Sequence, residues 1–386
     1  MTLSTDEKQK IMDFRQAGTD HKASPESPDD ADKIPLQEIN HISLWMPNWI
    51  GDAVLVLPSL QVLRKKFPSS RITAIVHTPT DELLSHHPDL DSVIRIPLNS
   101  DDSFFHHIQF ARGLKKYGFD LGVAFPNSLR SAVMMFLSGA KYRIGYNTDG
   151  RTLLLTHPVK VNSRLIKSQY RVDYFYNLLS SMELNPPDSG FTALNQDDAM
   201  PSVQDFLRSI GVKKNDFTVS IHPGTSKPER SWHPDRFGLL CQKLVKEYEA
   251  KIILVGNADE IGLLEQIEKF CPPKTAFINP RMNLREISSL IKACSLFIGN
   301  DSGMMHLAAM VGTPLVGIFG PGSGDTTGPH LEPEKKEIVT KNYPCSPCRQ
   351  RFFKECKPSM HNKPFCLEDI SIKDVTDAVQ RLIKKF

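Results

Sequence analysis

Three stretches of the chain gather residue types that can do chemistry, and a fourth gathers thiols. In "FIGNDSGMMHLAAMVG" an apolar strand runs into Gly299, Asn300, Asp301, Ser302 and Gly303, and an apolar helix follows. The free N–H groups and positive end of such a helix suit a diphosphate, and Gly303 removes bulk where backbone must approach it. Asp301 or Ser302 could instead simply cap the helix. His306 falls in its first turns, near the same end. In "SIHPGTSKPERSW" a second strand enters a Pro-Gly turn. Thr225, Ser226, Lys227 and Arg230 then supply donors and cations that could neutralise a departing diphosphate. The plainer reading is a solvated surface loop.

In "MPNWIGDAVLVLPSL", Gly51 and Asp52 stand between an apolar strand and an apolar helix. Pro58 predicts that the regular helix starts late, with the proline in its first turn and Asp52 in the loop before it. A carboxylate there could act as a general base, or could only bond its own turn. The thiols are Cys345, Cys348, Cys356 and Cys366, one C-x-x-C pair with two later cysteines. That is a structural metal pattern without the second pair that would complete it, and His361 is an alternative ligand.

These groups need strands that end beside them. From "HISLWM" onward, strand candidates ("RITAIVH", "SVIRIP", "DLGVAFP", "YRIGY") alternate with helical stretches. After the Pro- and Asp-rich "LNPPDSGFTALNQDDAMPS", a second series begins ("FTVSIHPG", "AKIILVGN", "TAFINP", "SLFIGND", "PLVGIFGPG"). Such alternation predicts an α/β fold of two doubly wound, Rossmann-like domains with parallel sheets, facing a cleft beyond their strand ends. The expected division is a poorly ordered leader over 1–39, a first domain over 40–195, a linker and connecting helix over 196–216, a second domain over 217–368 and a C-terminal helix over 369–386.

The 386 residues are 40% hydrophobic and 24% charged, the balance of a soluble globular protein. No apolar run approaches the roughly 20 residues that cross a bilayer, and the acid-bearing N-terminus is no secretory signal. A cytosolic location is expected, with Cys241, Cys271 and Cys294 as buried thiols and no disulfides. The net charge is only +3, yet residues 111–171 hold eleven Lys and Arg against Asp120 and Asp149, a local +9. That field suits a phosphorylated or membrane-surface partner, or is merely a solvated basic face.

Taken in order, "MPNWIGDAVLVLPSLQVLRKKFP", "FPNSLRSAVMMFLSGAKYRIGY", "HPGTSKPERSW" and "GNDSGMMHLAAMVGTPLVGIFGP" resemble the ADP-heptose:lipopolysaccharide heptosyltransferases, glycosyltransferase family 9. The cysteine tail and "PNSLRSA" are similar to the heptosyltransferase II branch. The resemblance covers residues 40–386 and implies a GT-B fold, with acceptor in the first domain and nucleotide-sugar in the second. It implies inverting, metal-independent transfer of heptose from ADP-heptose to the heptosyl-Kdo-lipid A inner core, by a cytoplasmic monomer peripheral to the inner membrane and without nucleic acid.

By the same resemblance, Asp52 is the base. Asp301, with Gly51, Thr225, Ser226, Asn300, Ser302, Gly303 and His306, belongs to the donor site. Glu260 holds donor hydroxyls, and Met282 packs on adenine. The diphosphate cation falls at Arg230, where the family usually has lysine, with Lys227 three residues upstream. Lys115, Lys116, Asn127 and Arg130 are expected to meet the acceptor. Heptosyltransferase I, another transferase of the family, or a non-catalytic nucleotide-sugar-binding module are the alternatives.

Overall fold

The alternation of strand and helix becomes, in the computed structural model, two six-stranded sheets that are parallel throughout. The structure describes residues 33–97, 104–161, 168–184, 200–278, 282–346, 348 and 350–385. Most of the expected leader and much of the expected linker lie outside the described residues.

The first half runs β1 (His41–Trp45), α1 (Ile50–Lys66), β2 (Arg71–Val76), α2 (Thr80–Leu84), β3 (Ser92–Arg95), α3 (Phe104–Gly113), β4 (Leu121–Ala124), α4 (Leu129–Leu137), β5 (Tyr142–Tyr146), β6 (His157–Val159) and α5 (Arg171–Asn177). The second runs α6 (Met200–Ser209), β7 (Thr218–His222), α7 (Pro234–Tyr248), β8 (Lys251–Leu254), α8 (Ile261–Glu268), β9 (Ala276–Ile278), α9 (Leu284–Ala293), β10 (Leu296–Asn300), α10 (Gly303–Met310), β11 (Leu315–Ile318), α11 (Gly324–Thr327), β12 (Lys336–Val339), α12 (Phe365–Glu368) and α13 (Ile372–Ile383).

The strand orders are β3-β2-β1-β4-β5-β6 and β12-β11-β10-β7-β8-β9. Each order reverses direction once, between β1 and β4 and between β7 and β10. A crevice opens beyond the strand ends at such a reversal. The four segments leaving those strands are therefore the ones placed to build a site. They begin after Trp45, Ala124, His222 and Asn300.

Strands buried on both faces read as continuous apolar runs rather than alternating ones. All five residues of β10 are buried, as are all five of β7. The second core joins Ile221, Trp232, Phe237, Ile298 and Val316 to Val375, Val379 and Leu382 of α13. That helix starts in a capping box between Ser371 and Asp374. The edge strands β6 and β12 were not anticipated. One carries Pro158 and the other begins Lys336-Glu337, and short edges tolerate such residues because one side needs no partner.

Helix α1 corrects one expectation. It begins at Ile50, so Asp52 lies in its first turn and Pro58 lies deep inside it. Proline there removes one helical hydrogen bond. Every residue from Ala53 to Leu60 is nevertheless buried, and packing on all sides offsets that loss. Asp52 at the positive end and Arg64, Lys65 and Lys66 at the other both oppose the helix dipole. Among the described residues, no helix is long and apolar enough to cross a membrane.

Candidate functional site

The segments leaving the two switch points enclose a cleft of about 940 Å³, with Asp52 on one wall and Asp301 on the other. From the second half, Thr225, Ser226, Lys227, Arg230, Glu260, Met282, Ser302, Gly303 and His306 also line it. Gly51 lines it from the first.

Asp301 follows β10 directly and is 6% exposed. Its Oδ2 lies 2.5 Å from Arg230 Nη2, which also donates to the Asp301 carbonyl at 2.7 Å. Burial pushes this carboxyl up, and Arg230 pulls it back. Ser302 turns its hydroxyl toward His222 Nδ1 at 3.4 Å and makes no capping bond. Neither side chain therefore caps α10. The capping explanation fails here, and the first N–H groups of α10 receive no side-chain cap. His306 is buried, its Nδ1 has no hydrogen-bond partner, and burial followed by Arg230 lowers it to about 4. It is neutral at ordinary pH.

Glu260 closes a capping box with Asn257 and points Oε2 at His222 Nε2, 3.4 Å away. Burial works to raise this carboxyl, but His222 and the Asn257 N–H hold it below the usual range. A Cβ on Gly224 would meet Glu260 Oε1 at 1.6 Å. The glycine of the second turn thus makes room for this carboxylate.

On the first half, Asp52 lines a second, smaller cavity of about 330 Å³ together with Trp45, Asn127, Arg130, Arg171 and Tyr174. Arg171 Nε lies 3.6 Å from Asp52 Oδ1. Burial raises the Asp52 carboxyl, and Arg171 opposes the rise. Asn127 donates to Tyr174 Oη at 2.6 Å. Asp52 and Arg171 line both spaces.

The two halves touch where α1 and α10 begin. A Cβ on Gly51 would stand 2.8 Å from His306 Cδ2, and one on Gly303 would stand 3.2 Å from Ile50 Cβ. Both glycines therefore permit approach of the helix starts to each other. Elsewhere across the cleft, Leu284 N donates to Glu82 Oε2 at 3.0 Å.

Other sequence-predicted residues sit elsewhere. Asn300 is fully buried; its amide accepts from Trp232 N and donates to Pro223 O, so it braces the second turn instead of facing the cleft. Lys115 and Lys116 precede β4, whereas Asn127 and Arg130 follow it. Parallel strands put these pairs at opposite ends of the sheet, so the two lysines do not join the cavity. The +9 span is not one face either. Arg151 is wholly buried among backbone carbonyls, with bonds to Tyr146 O and Pro126 O, and Arg143 donates to Leu154 O and Ala140 O.

All seven cysteines are free, with Cys345 exposed and Cys366 buried. Burial, reinforced by Cys345, Cys348 and Cys356 nearby, pushes the Cys366 thiol up to about 12. His361 is not with them; it joins His233 and Glu368. Sequence reasoning missed Arg171, His222 and Glu82. His222 had a usable signal, a titratable side chain ending an apolar strand before a Gly turn. Arg171 had none, because its partner is 119 positions away.

Two facing parallel sheets with their switch points on one cleft define the GT-B class of fold. The sequence model described as "Glycosyltransferase family 9 (heptosyltransferase)" matches residues 107–357. The chain belongs to glycosyltransferase family 9 and is a glycosyltransferase. It is 22% identical to lipooligosaccharide heptosyltransferase 2 of Haemophilus influenzae over 73% of this chain and 84% of that protein. It is 25% identical to lipopolysaccharide heptosyltransferase 3 of Escherichia coli over 70% of this chain and 80% of that protein. The solved E. coli ADP-heptose lipopolysaccharide heptosyltransferase II has a similar fold, with a TM-score of 0.72 at 19% identity, covering 89% of this chain and 99% of that one.

Proposed function

We propose that the protein transfers heptose from ADP-heptose to the heptosylated inner core of lipopolysaccharide, with inversion at the anomeric carbon. The observation that carries this reading is the position of Asp52 on the wall shared by the cleft and the smaller cavity. The donor occupies the cleft, with its diphosphate at Arg230, Lys227 and the start of α10, its sugar near Asp301 and Glu260, and its adenine against Met282. The acceptor occupies the smaller cavity beside Asn127 and Arg130.

Asp52 takes the proton from an acceptor hydroxyl. That oxygen bonds to the anomeric carbon as the bond from carbon to diphosphate oxygen breaks and ADP leaves on the opposite face. Arg230, Lys227 and the helical N–H groups stabilise the charge gathering on ADP, the role a metal takes in other transferases. Catalysis therefore requires no divalent metal in this reading.

The type II acceptor rests on the cysteine tail, on "PNSLRSA" and on relatives named heptosyltransferase 2. A type 3 acceptor competes, because a heptosyltransferase 3 is as similar. A lipid-anchored acceptor places the reaction at the cytoplasmic face of the inner membrane, and we take the working form to be a monomer. The test is ADP release from ADP-heptose with truncated lipopolysaccharides that end before the first, second or third heptose. Turnover only on the singly heptosylated core supports type II. Turnover on none with ADP-heptose rejects this pairing of donor and acceptor.

A further inference from the structure

Beyond the transfer site, the tail holds a second cluster of chemistry. His233 stands just before α7, with no side-chain capping bond, directly after the turn that carries Lys227 and Arg230. Its Nε2 lies 3.1 Å from Glu368 Oε2, while His361 Nδ1 lies 3.1 Å from Glu368 Oε1. Taking one ligand atom from each residue, the three fall within 4.8 Å of one another, the one such group of His, Cys, Asp or Glu among the described residues. We propose that His233, His361 and Glu368 form a binding site for a divalent transition-metal ion of the zinc class, separate from the catalytic cleft.

The geometry fits. Nitrogen and oxygen ligands sit about 2.0–2.2 Å from zinc in a tetrahedron, which spaces neighbouring donors by roughly 3.3–3.5 Å. Each histidine stands 3.1 Å from one oxygen of the Glu368 carboxylate, near that spacing, and a modest adjustment of the 4.8 Å group brings all three onto one ion. His233 is 7% exposed, and its Nε2 faces Glu368 Oε2 without the alignment of a hydrogen bond. A buried imidazole nitrogen with no hydrogen bond is costly, and a metal would satisfy it. His361 is 53% exposed, so the ion has a path in and room to keep water.

The carboxylate is already oriented from outside. Ser359 Oγ donates to Oε2 at 2.7 Å, and Arg236 Nη2 holds Oε1 at 2.8 Å. Such partners aim a ligand. The Arg236 charge also weakens the hold on a dication, so this site releases its ion more readily than an all-thiolate one. The consequence reaches the donor loop. Lys363, two residues past His361, donates to Pro228 O at 2.7 Å. An ion joining His361 to His233 would tie the tail to both ends of the segment bearing Arg230.

The test uses the full chain, stripped with chelator and titrated with ZnCl2 against a chromophoric indicator, and with CoCl2 for its spectrum. It is run in a Cys345→Ser/Cys348→Ser/Cys356→Ser background, which leaves only the buried Cys366 of the thiol cluster and so removes its ability to hold an ion. One equivalent of zinc is expected there, with cobalt giving visible bands and no thiolate charge-transfer band. Adding His361→Ala, an exposed change with little bearing on folding, should weaken zinc binding at least tenfold. No binding in the cysteine-substituted background overturns the site, and so does binding that His361→Ala leaves unchanged. Neither result touches the transfer reaction, which is read separately by ADP release.

Discussion

Arg171 Nε stands 3.6 Å from Asp52 Oδ1, so the carboxylate that we propose as base shares its wall with a guanidinium. Burial alone would lift the Asp52 carboxyl further above the ordinary value near 3.9. A base must be ionised to accept a proton, so kcat/KM should fall as pH drops through its pKa. Removing Arg171 leaves burial unopposed. In Arg171→Ala the acid limb of the kcat/KM profile should therefore move to higher pH. A limb that stays in place assigns it to another group. Asp52→Asn should lose about 10²- to 10⁴-fold in kcat, the usual worth of a general base. Its ADP affinity, measured by calorimetry, should stay within a few-fold of the parent.

The meeting of α1 and α10 gives a second expectation. Gly51→Ala sets a Cβ 2.8 Å from His306 Cδ2, an atom on a buried ring with little room to retreat. Overpacking of this kind costs about 1–3 kcal/mol. The variant should melt earlier and turn over more slowly. Gly303→Ala meets Ile50 Cβ at 3.2 Å and should be the milder of the two. The reverse order in Tm and kcat/KM would mean that the halves do not close on these glycines.

The fold was readable because both sheets are parallel and buried, so their strands stand out as apolar runs between helices. What was not readable depended on partners distant in sequence. Arg151 looks like one more surface cation in a basic stretch, yet it fills a buried nest of carbonyls. Pro58 looks like a helix start because proline is usually excluded further in, but the burial of α1 on every side overrides that local preference. Asp301 and Arg230 were each legible as donor-site residues. Their direct pairing was not, because nothing in either motif points to the other. Lys115 and Asn127 are close in sequence, yet one strand between them sends them to opposite ends of the sheet.

The pairing of Arg230 with Asp301 carries its own test. Arg230→Ala leaves a carboxylate that is 6% exposed without its cation. Breaking a buried pair from one side costs about 3–5 kcal/mol. The double variant Arg230→Ala/Asp301→Asn should recover most of that loss in a denaturant titration, since the stranded charge is gone. It should not recover ADP binding, because the cation proposed to meet the diphosphate is still missing. Recovery of both would show that Arg230 serves the fold alone.

Acid stability follows from two buried imidazoles. Burial lowers His87 to about 4, and burial and then Arg230 lower His306 to about 4, against the ordinary 6.5. Above pH 6.5 both are neutral in the folded and unfolded chain, and folding gains nothing further from them. Between 6.5 and 4 the unfolded chain takes up protons that the folded one refuses. Stability therefore falls as pH drops through that window and stops falling, for these groups, below about 4. Each contributes at most about 1.4 kcal/mol per pH unit. His87 is 4% exposed, with its Nε2 unpartnered and its Nδ1 accepting from Asp89 N at 3.1 Å. It lies outside the residues that line the cleft, so His87→Gln isolates the effect. Denaturation curves from pH 4.5 to 7 should show a shallower pH slope for His87→Gln than for the parent, by close to one proton. Parallel slopes would mean that His87 is protonated in the folded chain, and that burial does not hold it neutral.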